Sequence, residues 1–303
     1  MSISVSTFGQ SNYLTSQMLQ LEANYNNTSI QESSGLQAQN FSGIAPNVQQ
    51  VLNLESQYNN IAAQTANATA AYSKANTISN ALSNANDVIT QAITTVSAAI
   101  GDASTTSVAP SEQAALQAQL SDLVNALNTQ YAGSYVFGGS NTATQPVNVN
   151  AAGYTGLDTV TPNTSYYQGD DSVTSVQVDD SLTISYGVTA DNSSFEQALR
   201  ALTLAVANPS DTTTLQQAYG LLQQASSGVA NLTGIATAKA GLINTHVTIN
   251  QATLNYLNNN ISDITNADTT QVAAQLSTLQ TQLSASYSVL AKFASLSLTN
   301  YIK

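Results

Sequence analysis

The fold of this chain is decided by residues 51–96, which read VLNLESQYNNIAAQTANATAAYSKANTISNALSNANDVITQAITTV. Apolar and small residues recur in this stretch at alternating intervals of three and four, in two parallel rows. One row contains Val51, Tyr58, Thr65 and Tyr72, and the other contains Leu54, Ile61, Ala68, Ala75, Leu82, Ile89 and Val96. This heptad pattern predicts one long α-helix whose apolar seam packs against another helix, as in a coiled coil or a long helical hairpin.

Two further helices are expected in the N-terminal half, one on each side of this stretch. The first has apolar residues four and three apart, until the polar and Gly-containing segment 26–43 interrupts it. Pro46 then opens the long helix, because proline is tolerated in a first helical turn. After a Ser, Thr and Gly loop over 101–109, another helix begins at Pro110, and Gly133 is expected to end it. The apolar face of that helix consists of Leu116, Leu120, Leu123 and Leu127.

The C-terminal half repeats this order and contains three helix-capping signals. Asn192 can cap a first helix, since asparagine accepts hydrogen bonds from the backbone at helix starts. Asp211 can cap a second long helix, whose apolar positions continue to Ile264 despite four glycines. Asp268, followed three residues later by Gln271, has the spacing of a capping box and predicts the start of the final helix.

Between the two halves the apolar period changes from helical to two. Residues 173–178 and 182–188 alternate apolar and polar side chains, as half-buried strands do, and Asp179-Asp180 between them fits a hairpin turn. The predicted fold class is therefore mainly α with a small β insertion. We expect an elongated antiparallel bundle of long helices formed by the N- and C-terminal halves.

The expected organisation comprises three regions. Residues 1–46 and 265–303 form terminal coiled-coil assembly segments, 47–134 and 192–264 form a helical bundle domain, and 135–191 form a β-rich outer insertion. A single helix cannot bury its own apolar stripe, and isolated helices as short as the terminal ones are marginal in water. A chain with such stripes at both ends is expected to assemble. The candidate interface residues are Leu14, Met18, Leu21, Tyr25, Leu276, Leu279, Leu283, Tyr287 and Leu290.

Composition excludes several classes of function for the 303-residue chain. It has no Cys, so thiolate metal sites, disulfides and Cys nucleophiles are absent. Its five Lys and Arg residues against seventeen acids give a net charge of −12, which makes nucleic acid and anionic membranes poor partners. The start of the chain has no basic segment followed by an apolar run, which leaves either a cytoplasmic protein or export without a cleaved signal.

Few residues are candidates for chemistry, and we expect no catalytic site, no cofactor and no metal. His246 is the single imidazole and is expected on an inward-facing stripe with Leu242 and Ile249. The pairs Asp170-Asp171 and Asp179-Asp180 could act as acid and base or hold Ca²⁺, but adjacent strand residues point to opposite faces. Acids of exposed turns are the favoured interpretation, and an enzyme using them is the least favoured alternative.

Four stretches together resemble the bacterial flagellin family, including hook-associated protein 3. The first is similar to the exit from the second helix into the outer domain, the second to the β-to-helix return, and the last two to the C-terminal helix and the closing Leu-rich segment. They are GSYVFGGSNT (133–142); YQGD (167–170) with VQVD (176–179) and ISYGVTA (184–190); 263–290; and SLTNYI (297–302).

The resemblance implies a structural role outside the cell, in the bacterial flagellum, after passage through the flagellar type III export channel. It implies that the terminal segments are disordered in the monomer and pack together on assembly, a case of folding on binding. The implied partners are other copies of the chain, hook-associated proteins, flagellin and an export chaperone. A filament subunit and a hook–filament junction protein fit equally well, and a surface adhesin or glycan binder on a coiled-coil stalk is the alternative from another class.

Overall fold

The computed structural model describes residues 2–103 and 109–301, with side chains over 9–103 and 109–292. Within these residues it contains six α-helices: α1 Ser2–Ser34, α2 Val48–Ala103, α3 Pro110–Leu127, α4 Ser193–Ala207, α5 Thr212–Thr265 and α6 Thr269–Tyr301. The strands are β1 Gln130–Tyr131, β2 Ser134–Tyr135, β3 Ser175–Gln177 and β4 Thr183–Ser185. The predicted class, mainly α with a small β insertion, is confirmed.

The chain divides into two compact units, which we call the terminal unit and the central unit. The terminal unit comprises Met1–Asn59 together with Leu254–Lys303, and the central unit comprises Asn60–Thr253. The division into assembly segments, bundle and insertion at the boundaries given above stays a prediction. Part of the expected loop, residues 104–108, lies outside the described residues.

In the terminal unit, α1 and α6 pack antiparallel, since Tyr287 contacts Glu22 and the turns at the opposite end also pair. The amide of Gln37 donates to the carbonyl of Thr265 at 2.7 Å, and the amide of Ala267 donates to the carbonyl of Gly35 at 2.9 Å. The sequence prediction of a break beginning at residue 26 is wrong, because α1 continues to Ser34.

Packing against α6 explains why α1 continues through a segment of poor helix formers. Thr28 is buried there, and the neighbouring α1 residues line a groove with α6 residues such as Gln271 and Gln275. Tertiary contact of this kind commonly overrides weak helix propensity. The helix ends where Gly35 takes φ = +68°, a conformation that glycine adopts without a steric penalty.

A short 3₁₀-helix, Phe41–Asn47, precedes α2 and contains Pro46. The side chain of Asn40 caps it by accepting a hydrogen bond from the amide of Gly43 at 3.3 Å. The long helix therefore begins at Val48, two residues later than the proline predicted. An offset of this size is ordinary for helix boundaries.

In the central unit, α2 and α5 run antiparallel and share a continuous apolar core. The hydroxyls of Ser79 and Thr237 lie 2.7 Å apart, and Ser226 donates to Asn86 at 3.2 Å. The heptad row predicted from the sequence is confirmed over this part of α2, where five residues of it are buried. They are Ala68, Ala75, Leu82, Ile89 and Val96.

The insertion between α3 and α4 contains less strand than its alternation predicted. The β3–β4 hairpin matches the prediction, with Val176 opposite Ile184 and the turn at Asp179. Helix α3 ends at Leu127 and not near Gly133, because Asn128 leaves the helix and bonds both the amide and the carbonyl of Val147. Gly133 lies in the β1–β2 turn, where it takes φ = +80°.

Ser and Thr hydroxyls along the helices bond to the backbone of the same helix. In α2, Thr65 and Thr69 each donate to the carbonyl four residues earlier, at 2.6 and 2.7 Å. In α6, Thr278, Ser284 and Ser288 do the same at 2.9 Å. Such back-bonds satisfy the hydroxyls without any partner outside the helix.

Candidate functional site

The sequence-predicted interface residues converge on the contact between α1 and α6. All nine lie within the part of the chain whose side chains are described. Leu283 is buried at 8% exposure, Tyr287 is 47% exposed, and the other seven are half-buried. The two helices therefore bring the candidate residues together, but a pair of helices covers each stripe from one side only. Whether these residues form an interface between molecules stays a prediction.

The α1–α6 contact is held by a mixture of apolar and polar groups. Val272 and Leu283 of α6 and Thr28 of α1 are its buried members. Near the middle of the pair the Tyr287 hydroxyl donates to the Glu22 carboxylate. This hydrogen bond raises the pKa of Tyr287, because it stabilises the protonated phenol beside a negative charge.

Capping positions the start of α6 against α1. Asp268 accepts hydrogen bonds from the amides of Thr270 at 3.0 Å and Gln271 at 3.1 Å, as its capping-box spacing predicted. An acid at this position also suits the positive end of the helix dipole. The same device starts α4, where Asn192 accepts from the amide of Ser194 at 3.0 Å, and α5, where Asp211 accepts from Thr213 at 3.1 Å.

Mainly polar residues of α1 and α6 line an open groove between the two helices. Its walls are mainly amides, from Asn24 and Asn27 on one helix and Gln275 and Gln282 on the other. Amide side chains carry no charge, and they can both donate and accept hydrogen bonds. Such a surface can bond an approaching backbone or amide without the cost of burying an ion.

The acidic pairs of the insertion serve the turns that contain them. Asp170 accepts from the hydroxyl and the amide of Ser140 and from the amide of Ser172, and these hydrogen bonds hold its pKa well below its usual range. Asp179 accepts from the amides of Ser181 at 2.7 Å and Leu182 at 2.8 Å, which lowers its pKa as well. The carboxylate of Asp179 is occupied by its own turn, as expected for a turn acid, whereas that of Asp170 also joins its turn to Ser140, 30 residues earlier in the chain.

The stripe predicted around His246 faces the wrong way. Leu242 and Ile249 are half exposed. Ile243, one residue after Leu242, and Val247, two residues before Ile249, are buried. His246 itself lies 4.0 Å from Asp179, measured from Nδ1 to Oδ2. The buried row of α5 keeps a seven-residue period through Val229, Ala236, Ile243 and Asn250, and Leu242 and Ile249 each lie one residue before a member of that row.

One buried ion pair escaped the sequence analysis. Arg200 donates to Glu196 at 2.8 Å, and the two side chains are 4% and 2% exposed. Glu196 also accepts from the amide of Asn163, and Arg200 donates to the carbonyl of Asp158, so the pair attaches an irregular loop to α4. The i, i+4 spacing of an acid and a base was the available signal.

The described residues contain neither a membrane-spanning helix nor a cluster of metal-ligating side chains. No helix among them combines the length and apolarity that crossing a bilayer requires. No group of three or more His, Asp or Glu side chains within 2–103 and 109–301 is placed to hold a metal ion.

Comparison with known proteins gives one family and several related folds. The family model for the bacterial flagellin N-terminal helical region matches residues 5–142. No curated protein sequence matches the chain. Nothing found favours the adhesin alternative.

Two solved structures are similar to this chain along almost their whole length. A flagellar hook-associated protein of Vibrio parahaemolyticus is 14% identical with a TM-score of 0.62, over 74% of this chain and 100% of that one. FlgL of Bacillus cereus is 15% identical with a TM-score of 0.55, over 70% of this chain and 99% of that one. At these identities the likeness establishes a shared fold.

Proposed function

We propose that the chain is an axial structural subunit of the bacterial flagellin family, as the match of residues 5–142 to the flagellin N-terminal helical region supports, and that it polymerises through the α1–α6 contact. The nine candidate residues on the facing stripes of these helices would then form the shared core between neighbouring molecules. Its partners are further copies of itself and other flagellar axial proteins, namely hook-associated proteins and flagellin. Its place is the flagellum outside the cell, and it needs no catalytic group for this role.

The half-buried state of the α1 and α6 stripes is the observation that supports this proposal. Seven of the nine candidate residues are half-buried and Tyr287 is exposed, so part of this apolar surface still contacts water. Complete burial of a Leu or Met side chain is worth about 1.5–3 kcal/mol relative to exposure. Neighbouring helices that complete the burial of several such residues would supply a substantial driving force for assembly.

The same exposed surface supports a chaperone for the subunit before assembly. A stripe that drives polymerisation outside the cell would also drive premature association inside it. A partner that covers α1 or α6 during export would prevent this, and an amphipathic helix lying in an apolar groove is a common way to do so. We propose such an export chaperone on the same physical grounds.

The proposal is tested most directly by removing all but the first residues of α6. A chain without residues 272–303 should remain soluble and keep a folded central unit, but it should not polymerise or restore motility to cells that lack the protein. Polymerisation can be followed by sedimentation and negative-stain electron microscopy, and folding of the central unit by thermal melting. Normal assembly of the truncated chain would refute a role for this contact.

A matched pair of single substitutions localises the effect to the stripe. Leu21→Asp places a charge on the half-buried face of α1, whereas Gln20→Asp places the same charge on a neighbouring exposed position. The first should abolish polymerisation because a carboxylate would have to be buried unpaired, and the second should leave it nearly unchanged. Equal loss in both variants would mean that net charge, and not the stripe, limits assembly.

Immunogold electron microscopy distinguishes the two axial positions. An antibody against residues 135–190 should label the whole filament if the chain is the filament subunit. One cluster of gold at the junction of hook and filament would instead identify a junction protein. Label confined to the cell body would contradict both.

A further inference from the structure

A groove in the central unit lies between α2 and the short strands of the insertion. It has a volume of about 430 Å³ and is lined by Lys74, Asn67 and Ala71 of α2, by Tyr131 of β1 and Gln177 of β3, and by Tyr186 just after β4. Ligand pockets in proteins usually measure about 300–1,000 Å³ and combine apolar walls with a few polar groups. The groove has this size and this composition, and polymerisation through α1 and α6 makes no use of it.

Lys74 is the charged group of the groove, in a chain with only five Lys and Arg residues. Its side chain is half-buried, and among the described residues no carboxylate lies within ion-pair distance of it. Partial burial lowers the pKa of Lys74. A bound anion would stabilise this partly desolvated cation, which has no carboxylate partner among the described residues.

Two tyrosines form the aromatic part of the groove. Tyr186 is only 6% exposed, whereas Tyr131 is half-buried. The two phenols lie close enough that Tyr131, after burial itself, contributes to the raised pKa of Tyr186. A tyrosine offers an apolar ring face and a polar hydroxyl, so the accessible part of Tyr131, beside the buried Tyr186, suits a ligand with an apolar ring face and polar substituents.

Exposed amides form the rim of the groove, and a small apolar residue lines its floor. Asn67 and Gln177 are exposed at the rim, where their amides can donate and accept hydrogen bonds. Ala71, a small buried residue, contributes to the floor and leaves space above it. Hydroxyl groups on a ligand would find partners in the amides, and a ring would contact Tyr131.

We propose that this groove binds a small acidic sugar, with its carboxylate at Lys74, its ring against Tyr131, and its hydroxyls at Asn67 and Gln177. A carboxylate satisfies the unpaired cation, and the aromatic walls with the amide rim select a hydroxylated ring over a simple acid. The site gives the subunit a binding activity that is separate from polymerisation.

Isothermal titration calorimetry of the full-length monomer tests the proposal with three probes: glucuronate, glucose and acetate. Glucuronate should bind saturably, and glucose and acetate should each bind at least about tenfold more weakly, because each lacks one half of the recognition. Binding of glucuronate should weaken as salt increases, since the contact at Lys74 is partly exposed. Absence of saturable glucuronate binding, or equal affinity for acetate or glucose, would overturn the proposal without any variant.

Variants then assign the charge contact to its residue. Lys74→Met should weaken glucuronate binding about tenfold, whereas Lys239→Met, a half-buried lysine of α5 outside the groove lining, should leave it unchanged. Tyr131→Leu should weaken glucuronate and glucose but leave acetate unaffected. Equal losses in the two lysine variants, each shown to be folded by thermal melting, would mean that net charge alone attracts the ligand and would also overturn the proposal.

Discussion

The terminal and central units are built from the same kinds of residue, yet they bury their apolar side chains to different degrees. In the central unit, Leu82, Leu123 and Phe195 have no exposed surface. In the terminal unit the stripes of α1 and α6 are mostly half-buried, with Leu283 buried and Tyr287 exposed. The difference indicates that the central unit has a complete core within one molecule, whereas the proposed assembly would complete the burial of the terminal helices by contact with neighbours.

The strongest test of the closed core concerns its buried ion pair. Arg200→Met should destabilise the central unit by about 3–5 kcal/mol, because Glu196 would remain as an uncompensated buried charge. Urea unfolding followed by circular dichroism measures the loss. The double variant Arg200→Met with Glu196→Gln should recover part of the stability, since no buried charge remains. If the single and double variants are equally unstable, charge is not the cause.

The same truncation made in both units should have opposite consequences. Leu123→Ala removes a fully buried side chain and should cost the central unit about 2–5 kcal/mol of unfolding free energy. Leu279→Ala alters the half-buried stripe of α6 and should change the unfolding of the central unit by less than about 0.5 kcal/mol. It should instead raise the protein concentration needed for polymerisation. A similar loss of stability in both variants would contradict the distinction between the units.

Helix caps offer a smaller and more finely matched comparison. Asn192→Ala and Asp268→Ala each remove a side chain that accepts hydrogen bonds from helix-start amides, at a cost of about 1 kcal/mol. For α4 this should appear as lost unfolding free energy of the central unit. For α6 it should appear as a roughly fivefold higher concentration for assembly, the equivalent of 1 kcal/mol. An Asp268 variant that assembles normally would show that α6 needs no pre-formed start.

Acid should weaken the turn of the insertion that contains Asp170, because hydrogen bonds favour the ionised form of this carboxyl group. Hydrogen bonds from Ser140 lower the folded-state pKa of Asp170 below the unfolded value of about 3.9. Its contribution is therefore fully present above that pH and is lost as the pH falls through the lower folded-state value. Urea unfolding at pH about 7 and about 3 should show a smaller acid loss in Asp170→Asn than in the native chain. Asp171→Asn, whose neighbour holds the turn, should behave like the native chain.

The sequence predicted what depends on local pattern. The heptad row of α2, the caps at Asn192, Asp211 and Asp268, and the hairpin turn at Asp179 each follow from spacing or residue type, and the structure confirms them. Local chemistry of this kind requires only neighbours in the chain.

What the sequence could not predict depends on residues distant in the chain. Helix α1 passes the expected break because Thr28 is buried beside α6, which begins more than 200 positions later. The insertion has few strands because side chains such as Asn128 bond the backbone of distant loop residues in place of a ladder. All nine candidate interface residues were predicted from the sequence. The structure adds that they lie along the contact between α1 and α6 and that seven of them are half-buried.

The back-bonded hydroxyls of the helices bear on how much water must be removed when helices dock. A charged side chain holds its hydration shell strongly, and burying it carries a heavy dehydration cost. On α6, Thr278, Ser284 and Ser288 already donate to their own helix, so their protons need no water or external partner. A helix whose surface carries such hydroxyls is hydrophilic enough to stay in solution. Its surface can also be dehydrated at little cost when another helix packs against it.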